Sequence, residues 1–372
     1  MAEKEGDGHV HVQDDNPSPA ADAETSLGIT NGKGWDGKLR VPKSALISNP
    51  EALSDPEYTD DENVLDGEEI AADDDLLEDE DPETDEIMCT QSRIGSLSSL
   101  RLDRFKQVVR ICLRQNNIQR LEGLEGIAET LEDLDLYDNL ISHMRNLEGL
   151  PNLKSLDLSF NKIKHIKNIS HMKGLKDLYL VANKISKIEG IEGLDQLVQL
   201  ELGSNRIREI RNLDTLVNLE ELWLAKNKIT ELAGLAGLPK LRLLSIQSNR
   251  ISDLSPLKDA PQLEELYISH NLLATLTGLE ANKALKVIDI SNNKITNLTG
   301  LEGLSDLEEF WASYNLIADF NDVEKVLRNK EHLTTVYFEG NPLQLRAPAL
   351  YRNKVRLALP QVRQIDATFV KI

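Results

Sequence analysis

Leucine and isoleucine recur between residues 108 and 341 in one frame, L-x-x-L-x-L-x-x-N, which restarts every 22 residues over most of that span. The segment "LEDLDLYDN" ends at Asn139 and "LKSLDLSFN" at Asn161, and further copies end at Asn183, Asn205, Asn227, Asn249, Asn271, Asn293 and Asn315. A first copy, "VVRICLRQN", ends at Asn116, one residue out of step, and a last, "LTTVYFEGN", ends at Asn341 after a 26-residue step, which makes eleven copies. The alternation in L-x-L predicts a short strand with its leucines turned to a core. The asparagine predicts a turn whose amide satisfies backbone groups. The I-x-x-I-x-x-L-x-x-L that follows has 3₁₀ or helical spacing and brings the chain back. One such unit cannot bury its own apolar face, but a stack can. Strands stacked at about 4.8 Å then form a parallel sheet roughly 50 Å along its inner curve.

This is the pattern of a leucine-rich repeat, and it predicts an α/β leucine-rich-repeat solenoid with a concave parallel sheet and a 3₁₀ or helical convex side. Both ends of such a stack need covers. Residues 89–107, "CTQSRIGSLSSLRLDRFKQ", are expected to form the N-terminal cap, residues 108–341 the repeats and residues 342–372 the C-terminal cap. In the last of these, Tyr351, Val355, Leu359 and Ile365 are placed to cover the final repeat.

The fifth place of the frame lies between the two strand leucines, so its side chain should leave the concave face and point into water. Down the stack this column reads Cys112, Asp135, Asp157, Tyr179, Glu201, Trp223, Ser245, Tyr267, Asp289, Trp311, Tyr337. Five of the chain's 16 aromatic residues, including two of its three tryptophans, occupy these eleven places. Strand propensity accounts for aromatics on a sheet, but not for the acids interleaved with them. The third place adds Asp133, Asp177, Glu221, Glu265 and Glu309 alongside. Aromatic anchors among charges are the composition of a protein-binding hot spot, and this one calls for a partner with basic and apolar surface.

Charge divides the chain. Residues 1–88 hold 27 acidic and 5 basic residues, a net of −22, against −21 for the whole, so residues 89–372 carry a net of +1. Residues 1–88 are therefore read as a disordered acidic tail: a solvated arm, or one that binds a basic partner. The near-neutral remainder argues against an electrostatic grip on nucleic acid. No apolar run approaches the length that spans a membrane. The start has no signal-peptide core, and two cysteines in all suit a reducing compartment.

The uninterrupted 22-residue frame, the segments "LELGSNRIREI", "LEEFWASYN" and "VYFEGNPLQ", and the ending "LPQVRQIDATFVKI" closely resemble the leucine-rich-repeat regulatory subunit 7 family of protein phosphatase 1. The resemblance covers about residues 89–372. It implies a non-catalytic regulator that binds the phosphatase catalytic subunit through the concave face, controls its maturation, activity and location, and works in the nucleus and the cytoplasm without a cofactor. At matching places it implies contacts by Asp157, Tyr179, Glu201, Trp223, Asp289, Glu309, Trp311 and Tyr337. The column itself adds Tyr267. The family often has Phe where this chain has Tyr179 and Trp223. The short docking peptide of many phosphatase regulators, a basic residue followed by V-x-F, is not formed by "RVPK" at Arg40 or "KVRL" at Lys354. The reading is of a monomer before complex formation, with room on the open flank for a third regulatory or inhibitor subunit.

Other functional classes fit the sequence less well. His143, His165, His171, His270 and His332 are scattered without metal-ligand spacing, and one Ser269–His270 neighbour pair is no triad, so no enzyme is expected. An acidic nuclear leucine-rich-repeat protein that binds histones, or a spliceosomal leucine-rich-repeat subunit, is the alternative.

Overall fold

The structure, a computed structural model, describes residues 76–370. Most of the expected acidic tail, residues 1–75, lies outside the described residues. Fourteen strands form one sheet in chain order. Strands β1 (Glu86–Met88), β2 (Arg110–Cys112), β3 (Asp133–Asp135), β4 (Ser155–Asp157), β5 (Asp177–Tyr179), β6 (Gln199–Glu201) and β7 (Glu221–Trp223) are followed by β8 (Leu243–Ser245), β9 (Glu265–Tyr267), β10 (Val287–Asp289), β11 (Glu309–Trp311) and β12 (Thr335–Tyr337). All of these pair in parallel with their neighbours, and β13 (Gln364–Ile365) continues the parallel run before the antiparallel β14 (Thr368–Phe369) closes it. The eleven repeats supply β2 to β12. In each of these strands the central residue is fully buried, as in Leu156, Leu222 and Ile288.

The asparagines tie repeat to repeat. Asn227 Nδ2 donates to Leu224 O in its own repeat (3.1 Å) and to Leu202 O in the one before (2.9 Å), and its Oδ1 accepts from Ile207 N (2.9 Å). The same bonds recur at Asn161, Asn183, Asn205, Asn249 and Asn271. A buried amide thereby satisfies the carbonyls and N–H groups that the turn would otherwise strand. The residue before each asparagine is left-handed, with φ of 54° at Ala182 and 57° at Lys226. In the last repeat that place is Gly340, where a Cβ would sit 2.4 Å from the Tyr314 ring.

The return segments are mostly turns, with 3₁₀ helices at Glu125–Ile127 and Ser255–Asp259. The four extra residues of the 26-residue step build a true helix, α1 (Phe320–Leu327), capped by Asp319, whose side chain accepts from Asn321 N (2.8 Å). Beside it the buried Lys330 donates to Leu301 O and Leu304 O, both at 2.7 Å.

The N-terminal cover differs from the expected boundary at residue 89. It begins at least as early as Leu77, which is buried and whose carbonyl accepts from Arg104 Nη2, and it includes β1, where Ile87 is 1% exposed. Three residues of strand were hidden because acids surround them; what matters is that Ile87 faces the core and β1 covers the open edge of β2. At the other end, α2 (Pro342–Leu345) and α3 (Pro348–Ala358) lie over the last repeat, with Tyr351, Val355, Leu359 and Ile365 buried. The Tyr351 hydroxyl donates to Asp366 (2.8 Å), which also accepts from Phe338 N (2.9 Å).

Candidate protein-binding face

The fifth-place residues are the last residues of β2 to β12, so parallel pairing sets them side by side: Asp157 beside Tyr179, Tyr179 beside Glu201, Glu201 beside Trp223. The series continues through Ser245, Tyr267, Asp289 and Trp311 to Tyr337. All nine candidate residues therefore share one face, Glu309 in the adjoining third-place column. They do not simply point into water. Trp223 and the other rings are half-buried, Asp289 is 9% exposed and Ser245 only 1%. At about 4.8 Å between strands, large side chains lean over small neighbours. Ser245 is flanked by Trp223 and Tyr267, and Asp289 by Tyr267 and Trp311.

The two columns are joined by a contact that residue types alone did not reveal. Side chains two apart on a strand share a face, and here the third-place acid accepts a hydrogen bond from the fifth-place ring. Trp223 Nε1 donates to Glu221 Oε2 (3.2 Å), Trp311 Nε1 to Glu309 Oε2 (3.0 Å) and the Tyr267 hydroxyl to Glu265 Oε2 (2.7 Å). Tyr179 and Glu201 are instead linked through Gln199, which accepts from the tyrosine hydroxyl (3.4 Å) and donates to Glu201 Oε1 (2.7 Å). Tyr337 accepts from Gln364 Nε2 (2.7 Å). The signal was present in the E-x-W and E-x-Y spelling of β7, β9 and β11. Its effect is to fix each ring before any partner arrives, which lowers the entropy cost of binding.

Electrostatics differ along the face. Arg114 reaches Asp135 (2.5 Å) and Asp157 (3.8 Å), and Arg110 reaches Asp133 (3.1 Å), so cations of the chain itself neutralise the N-terminal end. Burial raises the carboxyl pKa of Asp157, Asp177 and Glu201 above the ordinary range. The Tyr179 hydroxyl is pushed up to about 12, first by burial and then by Asp177 and Glu201. These are acids held in a partly dry setting, where a partner's cation gains more than it would in bulk water. Among the described residues no group of three or more His, Cys, Asp or Glu is gathered to hold a metal ion.

The family description "Leucine Rich repeats (2 copies)" matches six overlapping windows between residues 151 and 329. An internalin from Listeria monocytogenes superposes with a TM-score of 0.64 over 77% of this chain and 87% of that one, at 23% identity, which speaks to the fold alone. The chain is a leucine-rich-repeat solenoid. Within it, 51 residues are 63% identical to the protein phosphatase 1 regulatory subunit SDS22 of Schizosaccharomyces pombe, covering 14% of this chain and 15% of that protein. A stretch of 45 residues is 62% identical to protein phosphatase 1 regulatory subunit 7 of Homo sapiens, 12% of each chain. The matched stretches are thus a small part of these relatives' length. Over those stretches the resemblance to the leucine-rich-repeat regulatory subunits of protein phosphatase 1 is plain.

Proposed function

We propose that this chain is a non-catalytic regulatory subunit that binds the catalytic subunit of protein phosphatase 1 through its sheet face. The observation that carries the reading is the double column of clamped rings and carboxylates on β5 to β12, in a chain whose matched relatives are named as regulators of that enzyme. Asp157, Tyr179, Glu201, Trp223, Tyr267, Asp289, Glu309, Trp311 and Tyr337 form the contact surface. The rings supply apolar anchor area and the carboxylates receive cations. The regulator acts by holding the enzyme, so its influence on maturation, activity and location in nucleus and cytoplasm follows from the complex.

Titration of the full-length chain with purified catalytic subunit, followed by calorimetry, tests this. A saturable complex of one to one is expected. No heat and no co-elution at micromolar concentrations, with the chain folded, overturns it. A folded chain that instead captures histones would favour the acidic nuclear class.

A further inference from the structure

The two edges of the sheet differ in how they handle charge. At the edge where the chain enters each strand, the second-place residues stack through backbone bonds such as Lys154 N to Glu132 O (2.7 Å) and Arg242 N to Glu220 O (2.9 Å). From Glu220 to Glu308 their charges alternate, and most are paired: Arg242 with Glu220 (3.4 Å) and Glu264 (3.1 Å), and Lys286 with Glu264 (2.8 Å), while nearer the N-terminal end Lys154 pairs with Glu132 (2.6 Å) and has Lys176 as its other neighbour.

The opposite edge, just past the asparagines, has its own ladder. Lys162 N donates to Ile141 O, Lys184 N to Ile163 O, Arg206 N to Ile185 O and Lys228 N to Ile207 O, each at 2.8 Å, and Arg250 N to Ile229 O at 2.9 Å. This sets five cations in consecutive register, with no acid between them. The flanking columns add Lys226 on one side and Lys164 and Arg208 on the other, and from Phe160 to Ala274 those columns also hold no Asp or Glu. Among the described residues, Lys162, Lys184, Lys228 and Arg250 enter no ion pair. The ladder then turns apolar: Leu272 and Leu316 take the next places on either side of Lys294, and they are 48% and 50% exposed, with Tyr314 beside them at 55%.

Like charges set side by side repel, and from Glu220 to Glu308 the other edge avoids this by alternating sign, whereas here five cations follow one another. We propose that the asparagine-side edge is a docking surface for an extended acidic segment of a partner protein, distinct from the sheet face. Five cations at about 4.8 Å span roughly 19 Å, which a strand-like run of about seven residues covers. The apolar places Leu272, Tyr314 and Leu316 would receive apolar side chains at one end of that run. A nucleic acid fits less well: the cations form a single file, and the exposed rings nearby, Phe160 at one end and Tyr314 at the other, are not interleaved with them.

The test is fluorescence anisotropy of a labelled peptide of seven glutamates followed by two leucines, with the full-length chain. Saturable binding is expected, weakening as salt rises. Lys184→Glu with Lys228→Glu should weaken it on the order of tenfold or more. Lys154→Glu with Lys286→Glu, on the other edge, should leave it within about twofold. Lys184→Gln with Lys228→Gln, a milder pair, should fall between wild type and the reversal. Thermal unfolding of each variant verifies folding, and phosphatase binding by the sheet face should be unchanged in the Lys184/Lys228 pair. No saturable peptide binding, equal loss from either edge, or a ten-nucleotide RNA that binds more tightly than the peptide would each overturn the proposal.

Discussion

Two triplets on the sheet face have the same plan and different outcomes. Tyr179, Glu201 and Trp223 stand on β5, β6 and β7; Tyr267, Asp289 and Trp311 stand on β9, β10 and β11. In the second the rings close over the acid, with centroids 6.2 Å apart and edge to face, and Trp311 goes on to meet Tyr337 at 5.7 Å. In the first, no ring contact joins Tyr179 to Trp223 among the described residues. The acid explains the difference. Asp289 is short enough to fold back and accept from Ser291 N (2.9 Å), as Asp157 does from Ser159 N (2.8 Å), and so leaves the rings free to meet. Glu201 is one methylene longer and is held upright by Gln199 (2.7 Å), which keeps the rings apart. One end of the face is thus a sealed aromatic ridge and the other an open, charged cleft.

The largest effect is expected at the ridge. Trp311→Ala removes an anchor and both ring contacts, so affinity for the phosphatase should fall by about 2 kcal/mol, and stability by about 1 kcal/mol from the lost edge-to-face pairs. Calorimetry and thermal unfolding of the same preparation read the two losses. A variant that loses neither would show the ridge to be incidental.

A middling effect belongs to the cleft. Glu201→Gln keeps the shape and removes the charge, and about 1 kcal/mol of affinity should go with it. The pH dependence sharpens this. Burial raises the carboxyl pKa of Asp157, Asp177 and Glu201, so the fold favours their protonated forms. Their contribution to stability is fully present below the ordinary carboxylate range and is lost as pH rises through the raised values. A cationic partner has the opposite preference. Binding should therefore release protons, and affinity should weaken as pH falls from neutral into the window just above the ordinary carboxylate range. Titrations across that window should give a flatter profile for Glu201→Gln than for wild type; identical profiles would remove Glu201 from the account.

The smallest effect tests the one-methylene explanation. Glu201→Asp should let the acid fold back toward its own turn and bring Tyr179 and Trp223 together, at a few tenths of a kcal/mol in stability. Near-ultraviolet circular dichroism would register the new ring contact. An unchanged spectrum would mean that acid length is not what holds the cleft open.

Much of this was legible in the sequence, because a 22-residue period specifies strand, turn and return at once. Alternation in L-x-L was enough to put Trp223 and Trp311 on one face. What alternation cannot convey is how far a side chain leans. Asp289 and Ser245 occupy outward places and are nonetheless buried, since their covers come from neighbouring strands 22 residues away in the chain. The carboxylate clamps on Trp223 and Trp311 depend on rotamers, which spacing permits but does not dictate. Strand β1 was missed for a different reason. Composition averaged over a long acidic run conceals a single core residue, Ile87, that makes three residues into a cap.

Trp223 gives the most direct test of the central claim. It makes no ring contact among the described residues and only one side-chain hydrogen bond, to Glu221, so beyond sharing the cover of Ser245 with Tyr267 it does little for the fold. The measurement is the affinity of full-length Trp223→Ala for the phosphatase catalytic subunit, beside its unfolding temperature. The account predicts an affinity loss of about 2 kcal/mol with stability changed by less than about 0.5 kcal/mol. Undiminished affinity, or a stability loss as large as the affinity loss, would contradict it.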